Sequence, residues 1–187
     1  VALSRCRSLE GLVLASTLNK NAVINDARVD SYIAQQNMRA VESIKNLPLL
    51  KEEYYRLMLL ELFNFNEIFT AESALFRTLV EYFHKHAKLI ALHQTTLTDL
   101  QKRILNVSTK WTLFIKGIPT AELHNPEFLN RIKNSAQYFY NELSNIFPEQ
   151  IEQTKGIESK NKEAIKRIDN NIADLEQNRI AKLLLLE

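Results

Sequence analysis

The composition describes a folded chain with few turn formers. It has 187 residues, of which 45% are hydrophobic and 25% charged, and its net charge at neutral pH is only +2. These values exclude an intrinsically disordered protein, and the small total charge argues against a strongly basic nucleic-acid module. Only 3 glycines and 4 prolines interrupt the chain, too few for the many short strands of a β-sandwich or barrel. The sequence therefore predicts an all-α protein, a multi-helix bundle.

Cysteine content and apolar runs give the expected compartment. The single cysteine, Cys6, cannot form an intrachain disulfide, and one thiol without a cluster of partners is not a zinc site. No stretch approaches the ~18 consecutive apolar residues of a membrane span. We expect a cytoplasmic protein with no membrane partner. Because the chain starts at Val1 and stops within the apolar run 183–186, we also expect it to be part of a longer protein.

The first two dozen residues differ from the rest. The short apolar run 12–14 after Gly11 is typical of a buried strand, and residues 19–21 are typical of a loop. From Asn25 onward the apolar residues follow helical spacing. We therefore predict two parts, a strand-containing segment over residues 1–24 and a helical region over residues 25–187.

Helical spacing and cap residues divide the first half of the helical region into three helices. Asn25 or Asp26 is a suitable cap for a helix over residues 27–46, and Pro48 is predicted to end it. A second helix is predicted over residues 49–63. Thr70 is a suitable cap for a third helix over residues 71–88.

The second half contains the clearest start and stop signals. A helix over residues 91–116 is predicted to stop at Gly117 and Pro119. Asn125, Pro126 and Glu127 combine a cap, a proline at the first helical position and an acidic residue at the positive end of the helix dipole. The helix that they begin is predicted to reach residue 146. Its apolar face consists of Phe128, Ile132, Ala136, Phe139 and Leu143. Another helix is expected after Pro148, with a break at Gly156.

Three of the four histidines lie close together in the sequence. His84 and His86 would point about 200° apart on a helix, and His86 and His93 would lie about 10 Å apart along its axis. This spacing does not suit one metal ion, so no metal ligands are predicted. We expect all three histidines to lie on the surface or to cap helices.

The N-terminal segment carries the most specific motif. Its residues 1–14 read V-A-L-S-R-C-R-S-L-E-G-L-V-L. This run resembles the last conserved motor motif of superfamily 1 DNA helicases of the Pif/RecD-like group, in which V-A-L-S-R is followed by S-L-E-G-L and a short strand. By this resemblance, residues 1–24 are a remnant of the second RecA-like motor lobe, and Arg5 is the catalytic arginine finger. Such an arginine reaches across the cleft and stabilises the charge that develops during phosphoryl transfer.

The resemblance also implies the activity of the parent protein. It would be an ATP-dependent DNA helicase that translocates from 5′ to 3′, with ATP and Mg²⁺ as cofactors and DNA as partner. The chain has no G-x-x-x-x-G-K-[ST] loop to hold the phosphates. We therefore expect this chain alone to bind no cofactor and to be inactive as an ATPase.

The helical region contains one basic segment. Between residues 84 and 117 there are six lysines or arginines and a single acidic residue, Asp99. A surface of lysines with an aromatic side chain suits phosphates and bases. The tentative nucleic-acid-binding residues are Lys85, Lys88, Lys102, Arg103, Lys110, Lys116 and Trp111. The alternative is that the lysines form a solvated face and that Trp111, at core spacing with Ile104 and Val107, is buried.

A second role for the helical region is also open. It could be a non-catalytic module for protein interaction or self-association through its apolar last helix. In addition, the apolar strand at residues 12–14 would present an unpaired edge. We expect this edge to pack against the helices or to pair with a second copy of the chain.

Overall fold

The computed structural model describes residues 26–187, and all regular elements in this range are helical. In chain order the α-helices are α1 (Ala27–Leu62), α2 (Asn66–Tyr82), α3 (Ala87–Asp99), α4 (Asn106–Gly117), α5 (Pro126–Ile146), α6 (Pro148–Lys155) and α7 (Lys162–Leu186). A short π-helical segment, Leu100–Leu105, joins α3 to α4, and we call it the π-turn. A 3₁₀ turn, Thr120–Glu122, precedes α5. The prediction of an all-α multi-helix bundle is confirmed. The predicted strand at residues 12–14 lies outside the described residues.

Helix α1 runs through Pro48, where the sequence predicted a break. Proline removes one backbone N–H and crowds the preceding turn, but the hydrogen bonds of the neighbouring residues can continue on both sides. The predicted stop was therefore wrong. The chain nevertheless divides at this residue into two compact units, Val1–Pro48 and Leu49–Glu187. The predicted boundary after residue 24 stays a prediction, because it lies outside the described range.

The start of α2 differs from the predicted one. The helix begins at Asn66, whose backbone N–H donates to the side-chain oxygen of Asn64 over 3.2 Å. Thr70 is therefore inside the helix and does not cap it. The helix ends at Tyr82, since the chain turns at the buried Phe83 and α3 starts at Ala87.

The predicted helix over residues 91–116 is interrupted by the π-turn. In a regular α-helix the buried Thr96 and Ile115, nineteen positions apart, would differ by about 100° around the axis. A π-turn holds one extra residue and removes about this difference. The buried faces of α3 and α4 therefore form one continuous surface. The predicted stop is confirmed, since α4 ends at Gly117.

Helix α5 follows its prediction closely. The side chain of Asn125 accepts a hydrogen bond from the backbone N–H of Glu127 over 2.9 Å, and Pro126 is the first helical residue. Its predicted apolar face is buried along its whole length. Asn161 caps α7 in the same way, through the backbone N–H groups of Glu163 and Ala164.

The core of the Leu49–Glu187 unit lies among α2, α5 and α7, with α3, the π-turn and α6 packed around it. Its largest fully buried side chains include Phe63, Leu75, Leu79, Phe139 and Leu143. Full burial of one such side chain contributes roughly 1.5–3 kcal/mol. This packing sets the positions of α4 and α5, which carry the site described next. Among the described helices, none is long and apolar enough to cross a membrane.

Candidate nucleic-acid interface

Helices α4 and α5 form a groove on the surface of the unit. From α4, Val107, Lys110, Trp111 and Phe114 line it, and from α5, Arg131, Asn134 and Ser135. On each helix these residues follow an i, i+3, i+4 spacing, so each helix presents them on one face. The groove therefore combines aromatic side chains, two cations and two polar groups.

Aromatic rings form the inner wall of this groove. The indole of Trp111 is stacked on the buried ring of Phe63, with 4.8 Å between centroids and 16° between planes. Phe114 packs edge-on against Trp111 at 5.9 Å, and Phe128 contacts both rings. The stack on Phe63 fixes Trp111 as part of the packed interior, while Phe114 keeps 38% of its surface exposed. The wall is thus rigid on its inner side and accessible on its outer side.

Arg131 lies over this wall. Its guanidinium carbon is 4.8 Å from the ring centre of Phe114 and 5.7 Å from that of Trp111, within the range of a cation–π interaction. Arg131 and Lys110 are both exposed. Neither takes part in an ion pair within the described range. No carboxylate of residues 26–187 therefore competes with an anion from solution for these two charges.

The structure separates the seven residues that the sequence suggested for nucleic-acid contact. Only Lys110 and Trp111 line the groove. Lys116 lines a different pocket, together with Gln101 and Thr109. Lys85 and Lys88 lie beside Gly156, in the turn between α2 and α3 and at the start of α3. Lys102 and Arg103 are in the π-turn.

Arg103 already has anionic partners. Its guanidinium is 3.5 Å from a carboxylate oxygen of Glu142 and 3.8 Å from one of Asp99. These two carboxylates offset the charge of Arg103, so Arg103 attracts a phosphate less strongly than Lys110 does. Lys102, its neighbour, is exposed and has no ion pair in the described part of the chain.

Sequence reasoning missed Arg131. It lies on α5, twenty positions after Trp111, and no local pattern joins the two helices. The spacing of Arg131, Asn134 and Ser135 on one face of α5 was the only available signal. The motif residue Arg5 lies outside the described residues, so its role stays a prediction.

A buried polar network joins α2, α3 and α6 on another side of the unit. His93 and Glu72 are both fully buried, with 2.7 Å between Nδ1 and Oε1, and Nε2 of His93 is 2.8 Å from the hydroxyl of Thr154. The expectation of a surface or capping His93 was therefore wrong. Its helix turns this position inward, between Leu89 and Thr96, which are also buried. In the described residues, the second carboxylate oxygen of Glu72 has no hydrogen-bond partner.

The hydrogen bonds of this network continue from His93 into α6. Thr154 donates its only hydroxyl hydrogen to the carbonyl of Gln150 over 2.5 Å, so it must accept from Nε2 of His93. The bond between Nδ1 and Glu72 needs one more proton, which either partner can hold. Within the described residues, no group of three His, Cys, Asp or Glu side chains is placed to hold a metal ion.

The described residues thus form an all-helical module with a cationic, aromatic groove. The family model for the middle domain of DNA helicases matches residues 46–187, which is 142 of the 187 residues. The chain belongs to this family. Neither a curated protein nor a solved structure gave a significant match to it.

Proposed function

We propose that the parent protein is an ATP-dependent DNA helicase of the Pif/RecD-like group, translocating from 5′ to 3′, and that Arg5 is its arginine finger. The family match and the motif over residues 1–14 support this proposal independently, since the matched range begins after the motif ends. ATP and Mg²⁺ would bind to a motor lobe supplied elsewhere in the parent, and the chain alone would not hydrolyse ATP.

Arg5 can be tested in the parent protein. Replacing an arginine finger removes charge stabilisation in the transition state, and such fingers are worth about 10³–10⁵ in kcat. We expect Arg5→Ala to lower DNA-stimulated ATP hydrolysis by a factor in that range while nucleotide binding is kept. The nearby Arg7→Ala is the matched control and should retain most activity. Equal activity of Arg5→Ala and the unchanged protein would remove the finger assignment.

For the helical region we propose contact with single-stranded DNA in the groove between α4 and α5. One observation carries this proposal: two exposed cations, Lys110 and Arg131, which have no ion-pair partner among residues 26–187, flank an exposed aromatic edge. Cations suit the phosphate backbone, and the planar guanidinium and Phe114 offer stacking surfaces for an unpaired base. Asn134 and Ser135 add polar groups beside them.

The test is a titration of the chain with a fluorescent oligothymidine at two salt concentrations. Each phosphate contact of a single strand adds about 0.7 to the slope of log affinity against log salt. We expect Lys110→Ala and Arg131→Ala each to weaken binding several-fold and to lower this slope by about one contact. Lys133→Ala is the matched control, since Lys133 is exposed on α5 but lies on a different face from Arg131. Absence of binding at low salt, or equal losses in all three variants, would eliminate the groove.

A second candidate function is self-association or protein interaction. The C-terminal turns of α7 expose Ile180, Leu184 and Leu185, at 53%, 68% and 45% of their surfaces. Exposed apolar residues of this kind favour a protein partner over a phosphate backbone. A particle mass that rises with concentration and is insensitive to salt would favour this function, and a constant monomer mass would count against self-association.

A further inference from the structure

The π-turn between α3 and α4 is held from outside by α5. The hydroxyl of Tyr138 donates a hydrogen bond to the backbone carbonyl of Arg103 over 2.9 Å. Arg103 lies in the middle of the turn Leu100–Leu105, where the backbone N–H of Asn106 donates to the carbonyl of Gln101, five residues back. A side chain from another helix therefore satisfies a carbonyl at the point where the regular α-helical pattern is interrupted.

The side chain of Arg103 is held by the same face of α5. Its guanidinium lies 3.5 Å from Glu142, which is one turn after Tyr138 on that helix. Asp99, one turn before Arg103 on its own helix, adds a weaker contact at 3.8 Å. Tyr138 and Glu142 thus fix both the backbone and the side chain of one π-turn residue.

The π-turn determines the direction in which α4 presents its side chains. Because the turn holds one extra residue, conversion to a regular α-helix would rotate α4 by about 100° around its axis relative to α3. Lys110 and Trp111 lie directly after the turn. Such a rotation would move Trp111 away from Phe63 and Arg131, which it contacts at 4.8 and 5.7 Å. The groove therefore exists only in the π register.

We propose that Tyr138 is a positioning residue for the DNA-binding groove: its bond to the Arg103 carbonyl keeps the π register, which directs Lys110 and Trp111 toward Arg131. This inference rests on the proposed function only for the identity of the ligand. The positioning itself is a property of the free protein. π-turns inside α-helices occur frequently at functional sites.

The raised pKa of Tyr138 keeps its hydroxyl protonated, so that it can donate a hydrogen bond. Burial raises the pKa of this phenol above its ordinary value, the neighbouring Glu142 raises it further, and Arg103 opposes the shift. The hydroxyl therefore keeps its proton throughout the neutral range and into the alkaline range. Its bond to the carbonyl needs that proton.

The chain offers a specific probe, since Trp111 is its only tryptophan. The test variant is Tyr138→Phe, which removes the hydroxyl and keeps the ring. Tyr140→Phe is the matched control, because Tyr140 is half-buried on the same helix and its hydroxyl makes no hydrogen bond in the described part of the chain. In the absence of DNA, we expect Tyr138→Phe to shift Trp111 emission to longer wavelength and to increase its quenching by acrylamide. Tyr140→Phe should leave both unchanged.

DNA binding gives the second measurement. We expect Tyr138→Phe to bind the oligothymidine about fivefold more weakly, the fold-change equivalent of one ordinary hydrogen bond. A purely stabilising role would lower the melting temperature without altering Trp111 quenching well below it. Unchanged emission and quenching in Tyr138→Phe would overturn the positioning role. A changed Trp111 signal in a chain that binds no oligonucleotide would instead uphold the positioning and remove the proposed DNA contact.

A milder variant covers the case in which Tyr138→Phe does not fold. Glu142→Gln removes the charge that holds the Arg103 side chain and keeps the Tyr138 hydroxyl. We expect a smaller change of Trp111 quenching in the same direction. No change in Glu142→Gln, with Tyr138→Phe unfolded, would overturn the proposal.

Discussion

At the scale of single residues, Glu72 and His93 form a hydrogen-bonded contact in the core. Both side chains are completely buried, and 2.7 Å separates Nδ1 of His93 from Oε1 of Glu72. Through Thr154 and Gln150, which donates to the hydroxyl of Thr96 over 3.0 Å, the network spans α2, α3 and α6. Removing one member would leave a buried polar group without its partner, which is costly in a low-dielectric interior.

This cost gives a prediction for stability. We expect Glu72→Ala to lower the free energy of unfolding by about 3–5 kcal/mol, because it leaves His93 unpaired in the core. The matched control is Glu67→Ala on the exposed side of the same helix, which should change stability by no more than about 0.5 kcal/mol. The double variant Glu72→Met, His93→Leu should cost less than the sum of its single changes. Chemical denaturation measures all four, and strict additivity would contradict the pairing.

The residues of the groove show what a sequence can and cannot reveal about a site. The density of lysines between residues 84 and 117 drew attention to α3 and α4, but charge alone did not show which cations have ion-pair partners. Arg103 is paired with Glu142, 39 positions further on, and Arg131 contacts Trp111 from another helix. Both facts depend on how α4 and α5 pack. Contacts between distant segments have no local signature, so the sequence did not indicate that Arg131 lines the groove or that Arg103 is paired with Glu142.

At the scale of helices, local chemistry predicted the elements where one strong signal acted alone. The cap and proline at residues 125–126 gave the start of α5, and five apolar residues at helical spacing gave its buried face. The prediction failed where a single helix-breaking residue was the only signal. Pro48 did not end α1, since one missing hydrogen bond does not stop a helix whose neighbours remain bonded.

The π-turn illustrates the same limit for helix continuity. Periodicity predicted an uninterrupted helix over residues 91–116, because a single extra residue changes the apolar spacing by only one position. The insertion is stabilised by Tyr138 and Glu142 from α5, which no pattern within residues 91–116 contains. Its effect is nevertheless large, since it decides which face of α4 meets α5. Helices were therefore predictable from the sequence, and their rotation relative to one another was not.

At the scale of the whole molecule, the buried core of residues 26–187 lies on the C-terminal side of the division at Pro48. Every buried apolar side chain of the described residues lies between Leu59 and Leu186, inside the unit Leu49–Glu187. The groove between α4 and α5 lies in the same unit. The family match begins at residue 46, close to this division. About 140 residues are enough to bury a stable single core.

We therefore expect a chain shortened to residues 49–187 to fold on its own. Its melting transition should be cooperative and within a few degrees of that of the longer chain, about the shift produced by 1 kcal/mol in a domain of this size. Trp111 should keep the same emission maximum, since its partners Phe63, Phe114 and Arg131 all remain. A chain shortened further to residues 64–187 is the matched comparison. It loses Arg56, which donates to the carbonyls of Ile115 and Ile118, and it loses the Phe63 stack, so its tryptophan should become exposed to quencher. If the 49–187 chain shows the same exposed tryptophan and no cooperative transition, residues 1–48 are required for the fold of this unit.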